Sequence, residues 1–266
     1  MKPEDDPFYG DDMMRALQAA RDGEVAGFRN RPGAVVHGRV TSSDDPDAFG
    51  WDDLRAAMRR EGIVQIRGAT PEVILKAEHE LAGFAPKQHF WDVFLADADR
   101  VRAACGQIVA GGLPDGITRH PDEEIDATVL HEMQGFLTEH GIAPFSKPAL
   151  SGALIPARPV ILRSADGAIA ATGYAALVHN EHSWLAGMAF VGLIAVDPAA
   201  RGLGLGKLAD AIANLIAVDE LGAAGAVEFV AADNAASRAV LRACGLEQVP
   251  DRMVVNLSAS DIRITR

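Results

Sequence analysis

The sequence predicts an α/β protein built on a mixed sheet, and three observations carry that prediction. Short runs rich in Val, Ile and Ala, such as residues 158–163, 169–178 and 226–232, are bounded by Gly, Pro, Asp or Asn and read as buried strands. Between them lie segments whose apolar residues recur at helical spacing, for example Ile125, Val129, Met133, Phe136 and Leu137. The long apolar run 184–196 then leads through a basic, glycine-rich turn into a stretch with Leu208, Ala211, Ile212, Leu215 and Ile216 at helical spacing. With 266 residues, 48% of them hydrophobic, the chain can bury a sizeable core in one large domain or two small ones.

In residues 1–108, helix patterns at 12–21, 51–60 and 72–83 alternate with strand patterns at 34–40, 63–67 and 89–95. This is an additional N-terminal α/β region without a glycine loop. Three roles are open to it: a lid, a homodimer surface, or a degenerate copy of the second half. Residues 109–266 form the second unit, with an opening strand at 116–119 and a helix at 125–137. Strands 158–163 and 169–178 flank the turn Ala165-Asp166-Gly167, and Asn180-Glu181 turns the chain into strand 184–196, giving an antiparallel meander. After the glycine turn and its helix, Gly222 is a stop and 226–232 is a strand. Asp233 or Asn234 then caps a helix that ends at Gly245, and 253–257 supplies a last strand.

Charge and composition exclude several classes. A formal charge of −12 argues against a nucleic-acid partner, which needs clustered Lys and Arg. No apolar run has the length of a membrane span, and the acidic start MKPEDDPFYGDD is unlike a secretion signal, so a cytoplasmic location is expected. Cys105 and Cys244 read as reduced, buried thiols. His120, His131 and His140 are eleven and nine residues apart, without the short pairs of a zinc site, and no metal is assigned.

The turn Val196-Asp-Pro-Ala-Ala-Arg-Gly-Leu-Gly-Leu-Gly-Lys207 carries the chemistry. Glycines at 202, 204 and 206 free the backbone to aim successive N–H groups at one anion where a helix begins, and Arg201 and Lys207 add positive charge. A nucleotide P-loop would need Gly and Ser or Thr where Arg201 and Leu208 stand, which excludes it. The dinucleotide fingerprint fits Gly204-x-Gly206-x-x-Ala209, with Asp233 on a later strand, but five residues separate the strand from its turn and about sixty residues follow it, too few for that fold. A glycine turn without a ligand is the plain alternative.

A third reading is a resemblance. Val196-x-Pro198-x-x-Arg201-Gly202-x-Gly204-x-Gly206 resembles the acyl-coenzyme A pyrophosphate loop of the GNAT acyltransferase superfamily, whose core is Arg/Gln-x-x-Gly-x-Gly/Ala. The second family signature is similar too: Asn234 stands three residues before Ser237 and eleven before Gly245, which Leu246 follows. The resemblance covers about residues 110–260 and implies a GNAT fold there. It also implies an enzyme that moves an acetyl group from acetyl-CoA to an amine acceptor by direct attack in a ternary complex. The backbone of Ile194, Ala195 and Val196 would meet the pantetheine arm. The amides of Arg201, Gly202, Leu203, Gly204, Leu205, Gly206 and Lys207 would hold the pyrophosphate. Asn234, with Ser237 beside it, would contact the arm from the other side, and Arg238 would reach a phosphate.

The proton-transfer groups do not follow the family. Many members carry a Tyr seven residues after the Asn234 position, where this chain has Leu241. Tyr174, on a neighbouring strand, is the tyrosine available in this region, and it reads equally as a core aromatic. His179, Glu181 and His182 cluster before the loop strand as base candidates or as a solvated hairpin tip, and Glu228 is a further strand carboxylate. The missing Tyr leaves a second function open: a CoA-binding regulatory module with little or no catalysis.

Overall fold

The computed structural model describes residues 5–259. Its front half runs α1 (Asp12–Phe28), β1 (Ser42–Ser43), α2 (Pro46–Phe49), α3 (Trp51–Glu61), β2 (Ile63–Ala69), α4 (Pro71–Glu80), β3 (Lys87–Asp97) and α5 (Ala98–Ala110). There follow β4 (Thr118–Arg119), α6 (Ala127–Glu139), α7 (Lys147–Leu150), β5 (Ala157–Arg163), β6 (Ile169–Ala176) and β7 (Met188–Val196). The chain then makes α8 (Leu205–Leu215), β8 (Gly225–Val230), α9 (Ala235–Ala243) and β9 (Glu247–Ser258). No helix among the described residues is long and apolar enough to cross a membrane.

The nine strands of the described residues share one mixed sheet in the order β1-β2-β9-β3-β8-β7-β6-β5-β4. The pairs β1–β2 and β7–β8 are parallel and the others antiparallel. β3 lies between β8 and β9, so a strand from residues 1–108 sits inside the sheet of the second half, and residue 108 itself falls within α5. The front region is therefore built into the sheet.

Side chains alternate across the strands and feed two cores. On one face, α5 and α8 bring Val101, Cys105, Leu208 and Ile212 against Val160, Leu162 and Val191. On the other, α6 and α7 bring Met133, Leu137 and Leu150 against Ile161, Tyr174 and Phe190. Gly173 lets α8 approach the sheet closely, because a Cβ there would stand 3.0 Å from the Ala209 carbonyl oxygen. A third cluster packs Leu54 and Met58 of α3 on Ile66 and Val255.

Several element boundaries differ from expectation for local reasons. Segment 34–40 is no strand: it makes isolated bridges, Ala34 to Ser43 and Val35 to His179, and runs buried between α1 and β1. The loop strand begins at Met188, because Ser183 Oγ accepts from the Leu185 N–H (3.0 Å) and the Met188 N–H bonds the Leu185 carbonyl (2.9 Å), closing a turn ahead of it. Helix α5 was not expected, although Val101, Cys105 and Ile108 lie at helical spacing behind an N-cap, Asp97, whose side chain accepts from the Arg100 N–H at 2.8 Å.

Candidate active site

The central feature is an opening in the sheet. β7 and β8 pair only from Met188 to Phe190 with Gly225 to Val227, after which they diverge. On the other edge of β7 the register slips opposite Gly173, between the Thr172–Ala195 and Tyr174–Gly192 pairs. Leu193 takes φ +56° there, and its carbonyl accepts from Thr172 Oγ1 at 2.8 Å. Such a bulge re-aims the strand. The Asp197 N–H bonds the Ala170 carbonyl on the β6 side at 2.9 Å. By strand alternation, the Val196 and Ile194 N–H groups therefore point to the opposite edge, which lacks a ladder partner.

A cleft of about 480 Å³ fills this opening. Ile194, Val196, Gly206, Asn234 and Ser237, all expected at the cofactor, line it together. The turn before α8 forms as its glycines require. Gly202 and Gly204 have φ +84° and +76°, with nothing within 4 Å of a Cβ at either, so the need is for backbone conformation rather than space. Gly204 is the N-cap of α8, and Arg201, Leu203 and Lys207 are exposed around it. Leu205 and Ala195 are buried and outside the cleft lining, and the Ala195 backbone pairs with Thr172 of β6. Asn234 caps α9 by accepting from the Ser237 N–H at 3.0 Å, which leaves its amide NH2 without that task.

Arg238 departs from expectation. Its guanidinium donates to Asp92 and, at 2.9 Å, to Gln248, and lies over the Phe94 ring, so it is held to β3 and β9 outside the cleft lining.

The four expected catalytic side chains are likewise not gathered at the cleft. Tyr174 is fully buried, donates its hydroxyl to the Ala149 carbonyl at 2.9 Å, and is raised further above the ordinary phenol range by burial. His179 is sealed beneath residue 35, and burial with the nearby Arg67 charge pulls its pKa to about 3, unsuited to a base near neutral pH. Glu181 and His182 are exposed on the hairpin, 3.8 Å apart, outside the cleft lining.

The structure brings other groups there instead. Asp210, on the second turn of α8, and Glu228, on β8, are both buried, interact with each other and line the cleft. Asn214 Nδ2 donates to Glu228 Oε1 at 3.0 Å. Burial, together with the repulsion of the Asp210 charge, drives the Glu228 pKa well up, and burial raises Asp210 also. Two adjacent buried carboxylates cannot both ionise cheaply, so the pair holds a proton. Leu241 lines the same cleft.

The front half supplies the opposite wall, with Arg39, Gln65, Arg67 and Trp91. Sequence reasoning missed these residues and Asp210. Gln65 and Arg67 did leave a signal, two polar residues at alternate positions in the apolar strand IVQIRGA, and Asp210 left another as a carboxylate within an apolar helix.

No protein-family profile matches the chain, and no curated protein is similar to it in sequence. Solved structures do match. A GCN5-related N-acetyltransferase from Kribbella flavida superposes over 85% of this chain and 78% of its own, with a TM-score of 0.54 at 18% identity. A GCN5-related N-acetyltransferase-like protein from Streptococcus suis covers 78% of this chain and 76% of its own, with a TM-score of 0.51 at 10% identity. A Drosophila protein covers 95% and 91%, with a TM-score of 0.53 at 15% identity. The structural neighbours over most of the chain are thus GNAT N-acetyltransferases, and the mixed sheet with its opened parallel pair is a GNAT-like fold.

Proposed function

We propose that this protein is an acetyl-CoA-dependent N-acetyltransferase acting on an amine by direct attack. The observation that supports it most is the join of the glycine-started helix α8 to the opening between β7 and β8, so that an anion site and a strand edge of unpaired donors form one continuous cleft. Acetyl-CoA would supply the thioester carbonyl that the amine attacks. The amides from Arg201 to Lys207 would bind its pyrophosphate, and the Ile194 and Val196 edge would bind its arm, with one N–H polarising the carbonyl. The amine must lose a proton and the leaving sulfur must gain one. With Leu241 in place of a hydroxyl, the Asp210–Glu228 pair is the proton store lining the cleft, on the α8 side where the sulfur would leave.

Incubation with acetyl-CoA and a broad amine panel is expected to release free thiol and acetylated amine. Tight CoA binding without turnover on any amine would overturn the enzyme reading and leave a CoA-binding regulatory module.

A further inference from the structure

The cleft wall built by the front half has its own charge pattern. Arg67, on β2, is 4% exposed. Its Nε donates to Gln65 Oε1 at 2.7 Å, and Gln65 is in turn fixed by donating to Asn256 Oδ1 at 2.8 Å. Its Nη1 is sealed from solvent and has no hydrogen-bond partner. Arg39 donates Nε to the Ala143 carbonyl at 2.7 Å and makes no ion pair among the described residues. The two guanidiniums feel each other's charge, and the acidic group acting on Arg67 is Asp44, which receives the Ser183 hydroxyl. Two guanidiniums against one carboxylate leave this wall a single positive charge beside aromatic rings, while the Asp210–Glu228 pair lies on the other face of the sheet. Arg67 lies 5.6 Å from the Phe190 centroid and 5.4 Å from Phe229, and Arg39 lies 5.2 Å from Phe145. Buried guanidinium donors without a full set of acceptors are costly unless a ligand completes them.

We infer that Arg39 and Arg67 form an acceptor subsite for a carboxylate, so that the amine substrate is an amino acid with an apolar body. A guanidinium fork matches a carboxylate in two parallel hydrogen bonds. The single net charge suits a monoanion better than a phosphate dianion, and the rings suit an apolar side chain. Phe190 and Phe229 stack at 5.8 Å on the face of the sheet opposite Asp210 and Glu228. The acceptor would therefore approach the opening from the side away from the cofactor. The inference deepens the acetyltransferase reading, and its binding arm stands apart from turnover.

The test uses the full chain with L-phenylalanine and L-leucine, their amides, the decarboxylated amines, and O-phosphoethanolamine, an amine with a phosphate and no carboxylate, as the phosphate probe. Binding is read by calorimetry with CoA present, and acetylation by thiol release. The amino acids are expected to bind and react at least tenfold better than their amides and amines. Arg67→Gln and Arg39→Gln should each erase that preference by raising KM for the amino acid at least tenfold, with CoA affinity unchanged. Equal binding of amides, tighter binding of O-phosphoethanolamine, or an unaltered preference in Arg39→Gln would each overturn the inference. Arg39→Gln decides it if the more buried Arg67 variant fails to fold. Binding of the amino acids without acetylation would sink the transferase reading while leaving the subsite standing.

Discussion

Glu228→Gln gives the sharpest test of the shared proton. In the unfolded chain both carboxylates ionise above pH ~4. In the folded protein burial and repulsion by the Asp210 charge raise Glu228 well above that range, and burial raises Asp210 too, so the folded state holds a proton that the unfolded state has lost. A state that binds the extra proton loses relative stability as pH rises, at about 1.4 kcal/mol per pH unit while the proton stays bound. Between pH 5 and 7 the pair therefore costs the wild type up to about 2.7 kcal/mol. In the variant, the amide oxygen can still accept from Asn214 and the amide nitrogen can donate to Asp210, so the packing is kept and the proton is no longer needed. The stability gap should open in the variant's favour by that amount. At about 2–4 °C per kcal/mol this is a relative rise in Tm of about 5–10 °C, with the two proteins nearly level at pH 4. Thermal unfolding by circular dichroism from pH 4 to 8 reads it directly. Acetyl transfer should fall about 100-fold if the pair supplies the proton. Parallel stability curves for the two proteins would refute the argument.

Three further outcomes follow from the geometry. Gly204→Val forces a β-branched residue to φ +76° at about 1–2 kcal/mol, so CoA affinity measured by calorimetry should drop about tenfold, whereas Gly204→Asn should be milder. Tyr174→Phe removes one of two hydrogen bonds on the Ala149 carbonyl, which keeps the Gly152 N–H at 3.3 Å, and should lower stability by about 0.5–1.5 kcal/mol in urea, with kcat and KM unchanged because the hydroxyl is outside the cleft. Asn180 Nδ2 shares two hydrogens among the carbonyls of Phe28, Arg31 and Ala34, at 3.2, 2.8 and 3.0 Å, so Asn180→Ala should cost about 2–4 kcal/mol, read as a lower denaturation midpoint.

The glycine turn was legible because its geometry is local. A helix-start anion site needs glycines at fixed offsets within one turn, and 202, 204 and 206 are contiguous in the chain. Strands 158–163 and 169–178 were legible because their neighbours are adjacent in sequence. The front-half wall of the cleft was not, because Arg67 meets Phe190 and Phe229 only after β2 and β3 have joined the sheet across more than a hundred residues. His179 misled for a related reason. Its spacing suggests an exposed turn, but the bridge to Val35 buries it, and nothing near position 179 in sequence announces that contact.

In the proposed reaction, the opening between β7 and β8 would let the carboxylate pair and the arginines act on one substrate. Glu228 points to the α8 face and bonds Asn214, whereas the next residue, Phe229, points to the opposite face and stacks on Phe190. In a fully paired sheet those two environments would be sealed from each other by the backbone ladder. Here pairing stops at Phe190 and Val227, and the bulge at Leu193 turns the β7 edge aside, so one cleft reaches both faces. A thioester lying in that gap would be open to an amine from the arginine side while its sulfur departs toward Asp210 and Glu228. β3 makes this affordable, because it pairs along the far edge of β8 from Gly225 to Val230 and holds that strand in place where β7 has left it.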